Sequence, residues 1–272
     1  MLTDWLQPTR PERVVFKRPP LVLAVFQVQF SDIPEITEWD FIEPFKSVIK
    51  DWFPVFNPVK QIGVQFDLGM SEPRRIETVH WQFKDESGDW TVVLTRDFLT
   101  LETRSYEHFA DFLSRLRFLL NNLVEYLHPK IGTRLGLRYV NEIRVGDQNL
   151  SSIINPQLLG LLSDSEVEKR TVQSHQEIVL RFPDEQFVHV KHGLFPTGNA
   201  VQPRLGQQPS TGPFYLLDFD AFRTFSAPTW LRMEPETIYE LVVKYHDDIE
   251  NLFLWSLTEE YIQGLGERDS AD

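Results

Sequence analysis

The sequence predicts an α+β fold made of two halves that repeat the same order of elements. Short runs rich in β-branched and aromatic residues follow one another about 8–12 residues apart, as in an antiparallel meander. Near the end of each half, apolar residues recur every three or four positions, as in amphipathic helices. Both halves read as strand, helix, three or four strands and helix, although they share no residue-by-residue identity.

The first half covers residues 21–130 and follows an arm, residues 1–20, whose prolines favour an extended backbone. Alternating apolar and polar residues predict a strand over 21–30. Helical spacing over 31–53 predicts a helix that ends before Pro54. Strands are then predicted over 61–67, 76–84, 90–96 and 98–104, and a helix over 106–127.

The second half covers residues 131–266 and precedes a short tail, 267–272. The same patterns predict a strand over 133–145, a short helix over 153–162, strands over 172–182, 187–195 and 214–222, and a long helix over 234–265. Residues 196–213 are rich in proline, glycine and glutamine, and so form either a functional lid or a disordered tip.

This tandem β-α-β(3–4)-α order is similar to folds of the TATA-binding-protein type, in which two copies form one curved antiparallel sheet with helices packed on one face. A helix-grip domain, in which a curved sheet wraps a long C-terminal helix, is the alternative. The likeness concerns the fold and implies nothing about DNA binding.

Composition and charge exclude several function classes. The chain of 272 residues contains no cysteine, which excludes disulfide frameworks, thiol nucleophiles and iron–sulfur ligation. Its net charge of −13 argues against sequence-independent binding to nucleic-acid phosphates as the main function. The charge is uneven, because residues 234–272 contain eleven acidic and two basic residues whereas residues 130–144 contain four basic and one acidic. This layout weakens the argument against anionic partners.

Targeting signals are not evident. The first ten residues lack the apolar segment of a secretory signal, and the longest apolar stretch, residues 19–28, is far shorter than the roughly 20 residues that cross a bilayer. We therefore expect a cytoplasmic protein with no membrane partner.

The densest polar constellation is the predicted strand over 133–145. Alternation places Arg134 and Arg138 on one face, and Tyr139 and Asn141 on the other. Two guanidinium groups on one face predict a site for a small anion, and the candidate ligand-binding residues are Arg134, Arg138, Tyr139 and Asn141. Alternatively, the arginines pair with acidic residues of a neighbouring strand or of the acidic final helix.

A second candidate set contains Asp218 and Asp220, which share one face of a predicted strand. With His189 they would hold a hard cation in a metal-dependent hydrolase. The favoured interpretation is that both carboxylates pair with the arginines instead. The sequence contains no His-Glu-x-x-His, nucleophile-elbow, Walker or dinucleotide-binding motif, so we expect no metal, no cofactor and no catalytic residue.

Residues 134–143, RLGLRYVNEI, resemble the signature R-x-G-x-R-Y-[IV]-N-x-I of a sporadically distributed bacterial family of unknown function. The segments at 19–22, 216–220 and 246–259 are similar to that family as well. The patchy distribution of the family implies an accessory role, such as phage defence or toxin–antitoxin control.

The sequence thus predicts a non-enzymatic binding or regulatory protein that recognises a protein partner, a second copy of itself or a small anionic ligand. Besides the hydrolase, the alternative is a DNA-binding saddle that uses the basic residues of 10–18 and 130–144. In the final helix, Leu254, Trp255 and Tyr261 lie off the core stripe, which indicates either burial in a larger core or a partner surface.

Overall fold

The computed structural model is a mixed α+β fold with a large antiparallel sheet and helices. It describes residue 16 and residues 19–65, 74–146, 148–199 and 210–266. Most of the predicted arm, residues 200–209 of the predicted lid or tip, and the tail 267–272 lie outside the described residues. No helix within the described part of the chain is both long enough and apolar enough to span a membrane.

The predicted elements occur in the predicted order, and the short strand β10 is an additional element. The strands are β1 (Leu21–Phe30), β2 (Val55–Gln65), β3 (Arg74–Lys84), β4 (Trp90–Leu94), β5 (Phe98–Thr103), β6 (Ile131–Arg144), β7 (Gln176–Arg181), β8 (Phe187–Phe195), β9 (Phe214–Thr224) and β10 (Leu231–Arg232). The α-helices are α1 (Trp39–Ile49), α2 (Phe109–Leu127), α3 (Pro156–Leu159), α4 (Ser165–Glu168), α5 (Pro235–Ser256) and α6 (Glu259–Leu265). The predicted bounds of β8 are confirmed.

The chain forms two compact units. Unit 1 comprises residues 1–22, 138–222 and 243–272, and unit 2 comprises residues 23–137 and 223–242. The boundaries fall inside β1, β6, β9 and α5, so each unit contains part of these elements.

In unit 2 the strands follow the order β2-β3-β4-β5-β1, and every neighbouring pair is antiparallel. The hairpin between β3 and β4 forms where Gly88 takes a positive φ of 78°. The apolar stripe of α1 packs on the sheet through Phe45, whose ring contacts Phe83 edge-on. That of α2 packs through Phe112 against Trp90. Local periodicity thus produced amphipathic helices that bury one face each.

In unit 1 the strand order is β6-β9-β8-β7, with antiparallel pairing between β9 and β8 and between β8 and β7. The short helices α3 and α4 begin at side-chain caps, since Asn155 and Asp164 accept hydrogen bonds from the first amides of each helix. The predicted strand over 172–182 begins only at Gln176.

The prediction of one helix over 234–265 is wrong, because α5 and α6 are separate. The Thr258 hydroxyl accepts the amide of Tyr261 at 3.2 Å and donates to the carbonyl of Ser152 at 2.6 Å. The Thr258 amide donates to the carbonyl of Ile153 at 2.9 Å. The bonds to Ser152 and Ile153 hold Thr258 against a distant segment where α5 ends, and the bond from Tyr261 caps the start of α6.

Candidate functional site

Arg134 lies in the part of β6 that belongs to unit 2. Its Nη1 donates to Oε1 of Gln27 at 3.3 Å. A Cβ at Gly136 would come within 2.9 Å of the same Nη1, so the glycine leaves room for the arginine side chain. Arg134 therefore lies along its own strand and bonds to a neutral amide.

Arg138 lies in unit 1 and forms a bidentate pair with Asp218 of β9, through Nε at 2.7 Å and Nη2 at 2.6 Å. The Asp218 side chain is only 4% exposed and that of Arg138 is 29% exposed. The hydrogen bonds to Asp218 raise the pKa of Arg138, although burial opposes this. For Arg138, the predicted pairing with an acidic residue of a neighbouring strand is confirmed.

Tyr139 and Asn141 point to the other face of β6, where α5 packs. The Tyr139 hydroxyl lies 3.1 Å from Nδ1 of His246 in α5. The Asn141 amide donates to the carbonyl of Leu217 in β9 at 3.2 Å. Both side chains are buried and join elements of the core, so neither belongs to the face that carries Arg138.

The face of unit 1 that carries Arg138, here called the Arg138 face, continues across β9, β8 and β7. Asp218 is paired with Lys191 in the β8–β9 ladder, and Asp220 with His189. Glu177 of β7 contacts the imidazole of His189 and forms an ion pair with Lys191 at 3.6 Å. Its partial burial raises the pKa of Glu177, but His189 and Lys191 lower it by more.

The metal candidates have other partners on this face. Asp218 is bonded by Arg138, which places a cation where a metal ion would lie. His189 contacts Glu177. Among the described residues, His189, Asp218 and Asp220 are not one of the clusters in which three ligand atoms approach one another closely.

Two phenylalanine pairs flank the charged residues of the β8–β9 ladder. Phe187 stacks on Phe222 with ring centroids 5.9 Å apart, and Phe195 stacks on Phe214 at 5.5 Å. The rings of Phe187, Phe195 and Phe222 are half-buried, and Phe214 is fully buried. The Arg138 face thus has a charged centre between two aromatic ends.

The charges of the Arg138 face are balanced. Strand alternation and the ladder registers place four permanent cations and four carboxylates on it: Arg138, Arg144, Arg181 and Lys191, and Glu142, Glu177, Asp218 and Asp220. A nucleic-acid surface requires an excess of basic side chains, which this face lacks.

Sequence reasoning missed two polar clusters in unit 1. In the first, ligand atoms of His246, Asp247 and Glu250 in α5 lie within 4.8 Å of one another. One imidazole and two carboxylates are a donor set for a divalent cation. Histidine and glutamate four positions apart in a helix share a face, and this spacing is the signal that the sequence contained.

The second missed cluster joins His192 of β8 to Tyr215 of β9. Nδ1 of His192 lies 2.8 Å from the Tyr215 hydroxyl, and both side chains are buried. Burial lowers the pKa of His192 and raises that of Tyr215. Both groups are therefore neutral at physiological pH.

A cleft in unit 2 is lined by His80, Arg96, Asp97 and neighbouring residues, and encloses about 200 Å³. Ligand pockets usually enclose about 300–1,000 Å³. This cleft is therefore small for an organic substrate.

Comparison of the chain with protein-family models and with curated proteins finds no match. The likeness to the sporadic bacterial family stays a prediction.

Proposed function

We propose that the protein is a binding module that recognises a protein partner through the Arg138 face of unit 1. One observation supports this most: on this face Arg138 pairs with Asp218, Arg144 with Glu142 and Lys191 with Glu177, while half-buried phenylalanine rings flank the charged residues. Aromatic rings beside paired charges are typical of protein–protein contact surfaces, where aromatic side chains contribute much of the binding energy.

The same face argues against the other predicted ligands. A small anion at Arg138 would compete with the buried Asp218 carboxylate, which already bonds two guanidinium nitrogens. A polyanion would meet as many carboxylates as cations. The hydrolase alternative needs Asp218 as a metal ligand, and its carboxylate is held by Arg138. A folded protein with mixed charges fits a balanced face better than any of these.

The proposal includes an accessory role in the cytoplasm, in phage defence or toxin–antitoxin control. The resemblance of residues 134–143 to the sporadic family supports the role, and the absence of cysteine supports the compartment.

We also propose that the two halves are pseudo-repeats arranged as in the TATA-binding-protein type. Two features support this. Each half starts with a strand and a helix and continues with a meander and a helix. The first strand of each half lies beside a late strand of its own meander, β1 beside β5 and β6 beside β9.

The binding proposal is tested by site-specific photo-crosslinking in the native host. A photoreactive phenylalanine analogue replaces Phe187 in one variant and Trp230 in the other, and adducts are identified by mass spectrometry. Trp230 is the control because it is aromatic and 42% exposed but lies in unit 2. We expect one discrete protein adduct from position 187 that is absent from position 230.

Three results would contradict the proposal. They are the absence of any adduct at position 187, an adduct only with a second copy of the chain, or equal adducts from both positions. Salt-dependent binding to duplex DNA would favour the DNA-binding saddle instead.

A further inference from the structure

Strand β7 forms one end of the strand order in unit 1. Among the strands that the structure describes, its only neighbour is β8, so its other edge is free for a further strand. Both faces of β7 are also open, because Ile178 is 43% exposed and Val179, which points the other way, is 58% exposed. An exposed edge with apolar residues on both faces readily pairs with another chain.

Strand β2, at one end of the strand order in unit 2, shows how such an edge is usually protected. Strand β2 carries Pro58 within its ladder to β3, and Lys60 two positions later. Proline cannot donate a ladder hydrogen bond, and lysine on an edge opposes pairing with another strand. Strand β7 has the sequence QEIVLR, with neither a proline nor a lysine.

We propose that the free edge of β7 pairs antiparallel with β7 of a second copy of this chain, around a two-fold axis at Val179. In that register Glu177 lies opposite Arg181 of the second copy, and Ile178 lies opposite Leu180. The two charge pairs are equivalent by symmetry, and each apolar residue meets another apolar residue. A surface that complements itself in this way is what a two-fold dimer requires.

The charged residues at the ends of β7 support this choice of occupant. Arg181 is exposed, and it forms no ion pair with any residue that the structure describes. The Glu177 side chain is 47% exposed, so it can accept a further cation besides Lys191. Opposite charges directly across an antiparallel pair stabilise it. The inference does not depend on the proposed function, which concerns the Arg138 face.

The first test is the mass of the full chain in solution, measured by light scattering after gel filtration. We expect about twice the 31.9 kDa of one chain. Val179→Lys places two lysines opposite each other on the axis and should raise the dissociation constant of the dimer at least about tenfold. Leu161→Lys is the control, since Leu161 is 82% exposed and lies outside β7. It should leave the mass unchanged.

The second test establishes the register. Arg181→Glu alone, or Glu177→Lys alone, places like charges opposite each other at both ends of β7 and should give monomers. An equimolar mixture of the two variants restores opposite charges at both positions, so it should form a mixed dimer. One variant carries a mass tag, so that the mixed dimer is distinguished from either homodimer.

Circular dichroism first establishes whether each variant is folded. Only folded variants are then used to test the inference. A monomeric wild-type chain, or a dimer that survives Val179→Lys, would overturn the inference. So would a mixture of the two charge variants that stays monomeric. If Leu161→Lys weakened the dimer as much as Val179→Lys does, the interface would lie elsewhere. That result would also overturn the inference.

Discussion

The two units bury different kinds of polar residue. Among the described residues, unit 2 buries only uncharged polar side chains, namely Thr91, Thr95, Thr100, Thr103 and Asn122. Unit 1 buries four acidic or histidine side chains, Glu142, His192, Asp218 and His246. A buried ionisable group destabilises a fold unless it has a specific partner. The contrast therefore predicts that unit 1 is more sensitive to single substitutions and to pH than unit 2 is.

The largest effect is expected from Arg138→Met. It removes both hydrogen bonds to Asp218 and leaves the buried carboxylate without its cation. Breaking such a pair should lower the free energy of unfolding by about 2–4 kcal/mol, less than for a fully buried pair because Arg138 is partly exposed. Urea unfolding measures the change.

Arg134→Met is the matched control, because Arg134 lies on the same strand in unit 2 and bonds to the amide of Gln27. Its cost should be about 1 kcal/mol or less. The double variant Arg138→Met, Asp218→Leu should recover most of the lost stability, because it also removes the buried Asp218 carboxylate that Arg138→Met leaves without its cation. Equal costs for the two arginine variants would contradict the contrast between the units.

A smaller effect is expected from Tyr139→Phe, which removes the hydroxyl that contacts Nδ1 of His246. The loss of this buried contact should cost about 1–2 kcal/mol of unfolding free energy. Thr100→Val removes a buried hydroxyl from unit 2 that accepts one long bond, 3.5 Å from Nε2 of Gln27. It should cost about 0.5 kcal/mol or less. Thermal unfolding of both variants compares the units, and a more costly Thr100→Val would reverse the expected order.

The smallest effect concerns pH. Burial and the nearby charge of His175 lower the pKa of His192 from the ordinary 6.5. As the pH falls below about 6.5, the unfolded chain binds a proton at this position before the folded chain does. The free energy of unfolding should therefore decrease as the pH falls from 6.5 towards the lowered pKa of the folded state.

His192→Gln should flatten this pH dependence, as followed by urea midpoints across the mildly acidic range. His80→Gln in unit 2 is the control, because burial also lowers the pKa of His80 but Asp97 opposes the shift. If His80→Gln flattened the profile more than His192→Gln, unit 1 would not be the more pH-sensitive unit.

Much of the local structure was predictable from the sequence. The alternation over 21–30 and 187–195 marked β1 and β8, and the apolar stripe over 106–127 marked α2. Each of these elements is marked by a repeat within one helix or one strand. The information that predicts it is therefore local in the sequence.

The partners of the candidate residues were only partly predictable. The sequence predicted that Asp218 and Asp220 pair with the arginines, but it did not decide that Asp218, 80 positions away, pairs with Arg138 rather than with Arg134. Tyr139 and His246 are separated by 107 positions, and no local pattern links them. Such contacts depend on which strands and helices become neighbours, and many arrangements of the same elements satisfy the same periodicity.

By itself, the sequence determined the types and order of the elements and the face of β6 on which each candidate residue lies, because backbone periodicity sets both. The tertiary structure decided which arginine Asp218 meets, where the final helix breaks and which strand is left at an edge. These outcomes depend on long-range contacts: Thr258 ends α5 by bonding to Ser152 and Ile153, and β7 is an edge because the chain adds no described strand beyond it.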